Sequence, residues 1–374
     1  RFLVEADLDN SRDATFTFLL PEEVELVWAG NLGSKISFYG DAIFLQKDFG
    51  GEDLISWATL KAWLQFQSLF GGDNKVNLRL GTVGTQTMGL FNGRDANIYG
   101  THFYLYTSWF MPKVNLAQAG LASFKGNNFS IGPQMGIEVN GVGKRWFYSV
   151  GVANGNLEVP AGTKPPSDIS FVGAGESTGN KDFYTQLAYK IGGAPFDRSA
   201  EQAADSLTTA SQFWRDDSLI LSLYGYSGIA TIETVDLAGT EVVEEDDFWR
   251  LGVGAQWQFK DITLGGVYLK GRDDKPYGSL SDASVDSATW HLEILGYPYP
   301  WLIPYARYEG LDLDLPHDVP GLQPEQDIER ILAGAKMMIR PNVFCTVEYV
   351  FYTEGAELEE GFDQTLFVLL AASF

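Results

Sequence analysis

The sequence predicts an all-β chain, a transmembrane antiparallel β-barrel of about 16 strands with short turns at one rim and long loops at the other. Three observations carry the prediction. Apolar and polar residues alternate strictly, with period 2, so each strand has two faces suited to different surroundings. The alternating runs commonly reach ten to thirteen residues. Soluble strands average about five or six, whereas a tilted membrane strand needs about 9–11. Trp and Tyr lie near the ends of the apolar faces, where a barrel in a bilayer carries aromatic girdles.

The clearest runs fall in the second half. Trp249, Leu251, Val253, Ala255, Trp257 and Phe259 make an apolar face against Arg250, Gly252, Gly254, Gln256 and Gln258. The split recurs with Ala288, Trp290, Leu292 and Ile294 against Thr289, His291 and Glu293. It recurs with Ile331, Ala333, Ala335, Met337 and Ile339 against Arg330, Gly334, Lys336 and Arg340. It recurs again with Val343, Cys345, Val347, Tyr349 and Phe351 against Thr346, Glu348 and Tyr352. In chain order the expected strands are 2–8, 23–31, 36–46, 55–69, 75–83, 129–140, 144–154, 181–192, 217–229, 245–259, 262–271, 285–297, 301–311, 326–339, 343–353 and 362–374. An even number suits a closed barrel and puts both chain ends on the short-turn rim.

The links alternate in length. Gly30–Lys35, Gly71–Asn74, Asn140–Lys144, Lys260–Asp261, Tyr297–Pro300 and Arg340–Asn342 are short turns. The longer links hold most of the acids, including the run Glu241–Asp247. Residues 193–216 break the alternation, because a short turn is due there and the link is long and polar. An ornamented turn is the favoured reading; a miscounted strand pair is the other. Segment 84–128 is the longest loop and is rich in aromatics, so it is expected to pack against the inner wall. No linker divides residues 1–374, which are read as one domain.

Composition narrows the function. The chain of 374 residues has 26 Lys+Arg and 49 Asp+Glu, a net charge of −23, which argues against nucleic acid as a partner. No apolar run is long enough for a membrane helix. Arg1-Phe2-Leu3 opens inside a patterned segment, as expected where a targeting segment has been removed. The lone Cys345 makes no intrachain disulfide or CxxC clip, and no EF-hand spacing occurs, so no metal ligand or cofactor is assigned. No G-x-S-x-G, HExxH or P-loop occurs, and the chain is read as non-enzymatic. His291 and Glu293 share a face, an acid–base couple in principle, and read better as a hydrogen-bonded wall pair.

Parity assigns the inner wall. It presents Lys61, Arg79, Lys190, Arg250, Arg307, Arg330, Lys336 and Arg340. It also presents Glu5, Asp7, Asp41, Glu138, Glu293, Glu309 and Glu348, with His291 among them. These charges either form a transverse field across a channel or pair across neighbouring strands. Arg94 and Asp95 of the long loop are candidate pore-lining residues, and a constriction gathering Arg79, Arg94 and Arg250 would favour anions instead of cations.

The last segment, Phe362 to Phe374, has a C-terminal Phe with Ala372, Leu370, Val368, Leu366 and Phe362 at alternate positions before it. It resembles the terminal strand recognised by the outer-membrane assembly machinery, and the architecture resembles the bacterial outer-membrane porins. The resemblance implies location in the outer membrane of a Gram-negative bacterium and Phe374 as an assembly signal. It further implies a homotrimer and a third loop, here 84–128, that narrows the pore. The implied function is a water-filled channel for passive diffusion of small hydrophilic solutes or ions. An acidic mouth favours a mild cation preference and contacts with outer-membrane lipid and lipopolysaccharide through divalent cations. A structural sheath for partner chains of an electron conduit is the alternative, and a barrel hydrolase a weaker one.

Overall fold

The computed structural model describes residues 2–7, 16–19, 23–47, 53–54, 58–71, 73–83, 134–155, 170–171, 179–197, 216–235, 241–276, 281–315, 325–340, 343–354 and 364–372. These form nineteen strands in chain order. They are β1 (Phe2–Asp7), β2 (Phe16–Leu19), β3 (Glu23–Leu32), β4 (Ile36–Lys47), β5 (Asp53–Leu54), β6 (Ala58–Phe66) and β7 (Asn77–Val83). They continue as β8 (Gln134–Val142), β9 (Trp146–Ala153), β10 (Ser170–Phe171), β11 (Asp182–Gly192), β12 (Ser218–Val235) and β13 (Glu241–Phe259). The rest are β14 (Ile262–Asp273), β15 (Val285–Gly296), β16 (Leu302–Asp314), β17 (Glu325–Arg340), β18 (Val343–Glu354) and β19 (Gln364–Ala372).

All sixteen expected strands are present, with edges shifted by a few residues. The short β2, β5 and β10 were not expected. From β11 to β19 each strand pairs antiparallel with the next. β9 pairs β11 directly, and β3, β4, β6, β7, β8 and β9 make the other arc. β1 pairs β19 on one side, with Phe2 opposite Leu370, and β2 on the other. The two ends of the chain therefore lie side by side in one sheet. β10 adds a parallel contact to the start of β6.

The hairpins show why the register holds. Lys260 adopts φ 52° in the two-residue link between β13 and β14, and its N–H donates to Asp217 Oδ1 at 2.8 Å. Gly33, with φ 74°, turns β3 into β4. β11 and β12 pair directly with each other, through to Gly192 opposite Ser218, so no strand separates them in the sheet. Of that long link, residues 198–215 lie outside the described residues, as do 84–133 with the long aromatic loop.

Exposure is inverted relative to a water-soluble protein. On β13, Leu251 is 59% exposed while its neighbour Arg250 is 0% exposed. On β15, Leu292 is 62% exposed while His291 and Thr289 are buried. An outer face of this kind would aggregate in water but is stable against hydrocarbon. The apolar outer band of β13 runs from Trp249 to Phe259, and beyond it the outward Glu245 and Asp247 are exposed. β12 and β13 have 18 and 19 residues, well beyond the roughly 9–11 of a tilted crossing, so they stand above the bilayer.

Two expectations are corrected here. Arg340 does not face the interior, because a register shift between Met338 and Arg340 pairs it with Val343 on the outward face. One extra residue flips every later side chain. The inner wall is also less polar than parity suggested. Leu269, Leu311, Leu313, Ile328, Leu332 and Val350 point inward and are fully buried, so this sector is a packed layer shielded from solvent.

The face assignment makes a quantitative prediction. Leu251→Arg on the outer face should lower bilayer folding stability by roughly 2–4 kcal/mol. Gln256→Arg, one face over on the same strand, should cost far less. Urea titration of both variants refolded in lipid vesicles reads the difference, and equal costs would contradict the assignment.

Candidate functional site

Alternation brings the inward side chains of neighbouring strands into rows across the inner wall. The largest polar array spans β15 to β18. Glu309 stands opposite His291 on one side and Arg330 on the other. Arg330 Nε donates to Glu309 Oε1 at 2.6 Å, and its Nη1 donates to the Tyr352 hydroxyl at 3.1 Å. Arg307 lies 3.4 Å from Glu309 and 3.9 Å from Glu293. Tyr305 donates its hydroxyl to Glu348 Oε2 at 2.6 Å. Arg330 and Glu309 are 0% and 1% exposed. Two arginines thus share one central carboxylate, with tyrosines capping the edges.

A second array crosses β6 to β11. Arg79 donates to Gln65 Oε1 at 3.0 and 3.2 Å, lies 3.3 Å from Glu138, and sits 4.6 Å from the ring centroid of Trp63. Glu138 also accepts the Tyr184 hydroxyl and, at 2.8 Å, the Asn140 amide. The Tyr184 ring lies over Gly151 on the neighbouring strand. A side chain on Gly151 would collide with that ring, so glycine lets the tyrosine lie flat on the wall.

A third array lies at the long-loop rim. The Arg250 guanidinium grips both carboxylate oxygens of Asp273, at 2.7 and 2.9 Å, and donates to the carbonyls of Trp249 and Arg272. Its stem crosses Gly271, which has no side chain to obstruct it. Asp246 hydrogen-bonds the Asp273 carboxyl and accepts the Lys275 N–H at 2.7 Å. Asp246 stands above the outer band, between the exposed Glu245 and Asp247. Burial, and then the neighbouring Asp273 charge, raise its pKa to about 7.

The remaining sequence candidates divide cleanly. Lys190 lies on the inner wall near the opposite rim, where Asp216 of the long link neutralises it and the Phe196 ring covers it. Hydrogen bonds from Lys190, Ser218 and Ala194 outweigh the desolvation of Asp216 and hold its pKa below the usual carboxylate range. Lys336 stacks its ammonium over Phe344 at 3.8 Å. Lys61 stands opposite Asp41 in the ladder. Arg94, Asp95 and Phe374 lie outside the described residues. Among the described residues, no three His, Cys, Asp or Glu side chains are grouped to hold a metal.

Parity found most of the charged wall and missed its neutral members. Gln65, Asn140, Tyr184 and Tyr305 share faces with the charges and were passed over because they carry none, while Tyr352 was already placed on the polar face. Asp182 and Asp246 were legible too, since they have the parity of Lys190 and Arg250.

No family model and no curated protein matches this sequence. Solved structures do. OmpF of Salmonella typhi, in complex with daunomycin, is similar over 100% of this chain and 97% of its own, with TM-score 0.57 and 10% identity. The trimer form of OmpT, an outer-membrane protein of Vibrio cholerae, gives 0.55 and 11% identity, with 100% and 97% covered. The outer-membrane channel DcaP of Acinetobacter baumannii gives 0.54 and 11%, with 100% and 96% covered. The chain has the fold of the outer-membrane porins.

Two predictions follow from the wall. Arg330→Met leaves Glu309 buried with less compensation and should cost about 3–5 kcal/mol. Arg330→Met with Glu309→Leu should recover most of it, both read by urea unfolding in lipid. The second concerns pH. Asp246 keeps its proton in the folded barrel between its ordinary 3.8 and about 7, where the unfolded chain has released it. Its contribution to stability therefore falls as pH rises through that window and is flat above it. Between pH 6 and 8 the rim at Lys275 should lose amide-exchange protection, corrected for intrinsic rate, and Asp246→Asn should flatten that dependence.

Proposed function

We propose that the chain is an outer-membrane channel for passive diffusion of small hydrophilic solutes or ions, with a mild preference for cations. The single observation that carries this reading is the inverted wall. Among the described residues, an almost wholly antiparallel sheet exposes its apolar side chains outward and turns most of its ionisable ones inward. Hydrocarbon outside and polar contents inside account for both faces. A sheet of about sixteen strands is wide enough for an aqueous path, whereas eight leave room only for side chains.

The mode of discrimination follows from the pairing. Most inner charges are held in cross-strand arrays rather than pointing freely inward, so they act as a fixed lattice with an excess of acid. Inward acids in the described residues, namely Asp41, Glu138, Asp182, Asp246, Asp273, Glu293, Glu309 and Glu348, outnumber Arg79, Lys190, Arg250, Arg307, Arg330 and Lys336. With the net charge of −23, this favours cations within about a Debye length, roughly 8–10 Å, of the mouth. No step of covalent chemistry is assigned. A homotrimer, as the porin resemblance suggests, and contact with lipopolysaccharide belong to the same reading. So do a long loop at 84–128 that narrows the path and an assembly signal at Phe374.

The buried apolar sector over β14 to β19 favours a second reading, in which the lumen is filled and the barrel is a sheath or scaffold. Single-channel conductance in a planar bilayer under a salt gradient decides between them. Stepwise conductance with a cation-biased reversal potential, in groups of three for a trimer, is expected. Anion bias would overturn the charge argument, and inserted but silent protein would favour the scaffold.

A further inference from the structure

Asp182 opens β11 on the inner wall at the long-loop rim and is fully buried. Its Oδ2 accepts the Tyr226 hydroxyl at 2.6 Å and Gln134 Nε2 at 3.2 Å. Its Oδ1 has no hydrogen-bond partner, and neither does Oε1 of the same Gln134, which is also fully buried. Buried carboxylates are as a rule charge-paired or fully hydrogen-bonded. No cationic side chain among the described residues forms an ion pair with Asp182.

The space beside it is specific. Gly155 has φ 80°, and a Cβ placed on it would meet nothing closer than 3.4 Å. The two nearest atoms to that point are oxygens, the Asn180 carbonyl at 3.4 Å and Asp182 Oδ1 at 3.5 Å. Asn180 is fixed from β13, since its Nδ2 donates to Glu245 Oε1 at 3.0 Å. The Asn180 carbonyl also accepts Lys181 Nζ at 3.3 Å, so a bound cation would share this oxygen with the lysine and draw its main attraction from Asp182.

We infer that Asp182 Oδ1, the Asn180 carbonyl and Gln134 Oε1 form a site for a single positive charge, an alkali cation or a primary ammonium group. One carboxylate matches one charge. A tight divalent site draws on more anionic ligands, and a transition metal prefers nitrogen or sulfur. Three acceptor oxygens also match the three donors of an ammonium group. This deepens the channel reading, on which it rests for the route and class of solute.

The test uses the purified barrel in detergent micelles, titrated with sodium ion, methylammonium and tetramethylammonium and followed by NMR of the ligand. Saturable binding of sodium or methylammonium is expected, while tetramethylammonium, which has no N–H and is larger, does not compete. Preference for methylammonium assigns the ammonium role, and preference for sodium the ion role. Asp182→Asn should weaken binding by about tenfold or more, and Gln134→Glu, which adds a second carboxylate, should tighten it by a similar factor. Should Asp182→Asn fail to fold, the gain in Gln134→Glu decides. No saturable binding, unchanged binding in Asp182→Asn, or no gain in Gln134→Glu would overturn the site. Conductance of the same preparations separates the two claims. An open channel without binding sinks the site alone, and a closed barrel that binds sinks the channel alone.

Discussion

Every backbone N–H and C=O inside a bilayer must find its partner within the protein, because hydrocarbon offers none. A sheet satisfies this only if its edges meet. The pairing of β1 with both β19 and β2 follows from that demand, since it joins the last strand of the chain to the first hairpin. The outward alternation follows as well. Once the backbone is saturated, the only remaining contact with lipid is through side chains, and these are Leu251, Val253, Leu292 and their neighbours.

The same strand pairing fixes what can happen inside. Inward residues from adjacent strands are brought within reach of each other, so charges pair sideways along the wall. Arg330 with Glu309 and Arg79 with Glu138 are cross-strand pairs on neighbouring strands. Large inward side chains need somewhere to lie. Tyr184 over Gly151 and the stem of Arg250 over Gly271 show glycine providing it. A tyrosine that lies flat brings its hydroxyl to a carboxylate on a nearby strand, as Tyr184 does with Glu138 and Tyr305 with Glu348. The wall is therefore hydrogen-bonded across strands, and its charges are positioned by geometry that no single strand contains.

Rim and wall differ in kind. Across the bilayer the arrays combine opposite charges or tie a carboxylate to hydroxyl and amide groups. Above it, where β12 and β13 extend beyond the apolar band, Asp246 and Asp273 are crowded against one guanidinium. Two carboxyls with one arginine hold a proton near neutral pH. The rim is in this respect the more responsive part of the barrel, and the bilayer-spanning wall the more fixed.

The sequence by itself determined the strands, their faces and most of the charged wall. Period-2 alternation is a local property, and each strand carries it within its own ten or so residues, as 245–259 and 343–353 do. Tertiary structure alone decided the partners. Whether Arg330 meets Glu309, or Arg250 meets Asp273, depends on the stagger between strands, which composition does not encode. A single register shift at Met338 turned Arg340 outward against its parity. The apolar inner sector was equally hidden, because a leucine of inward parity, such as Leu311 or Leu332, reads in sequence as an exception. Only the assembled sheet collects such exceptions into one buried layer.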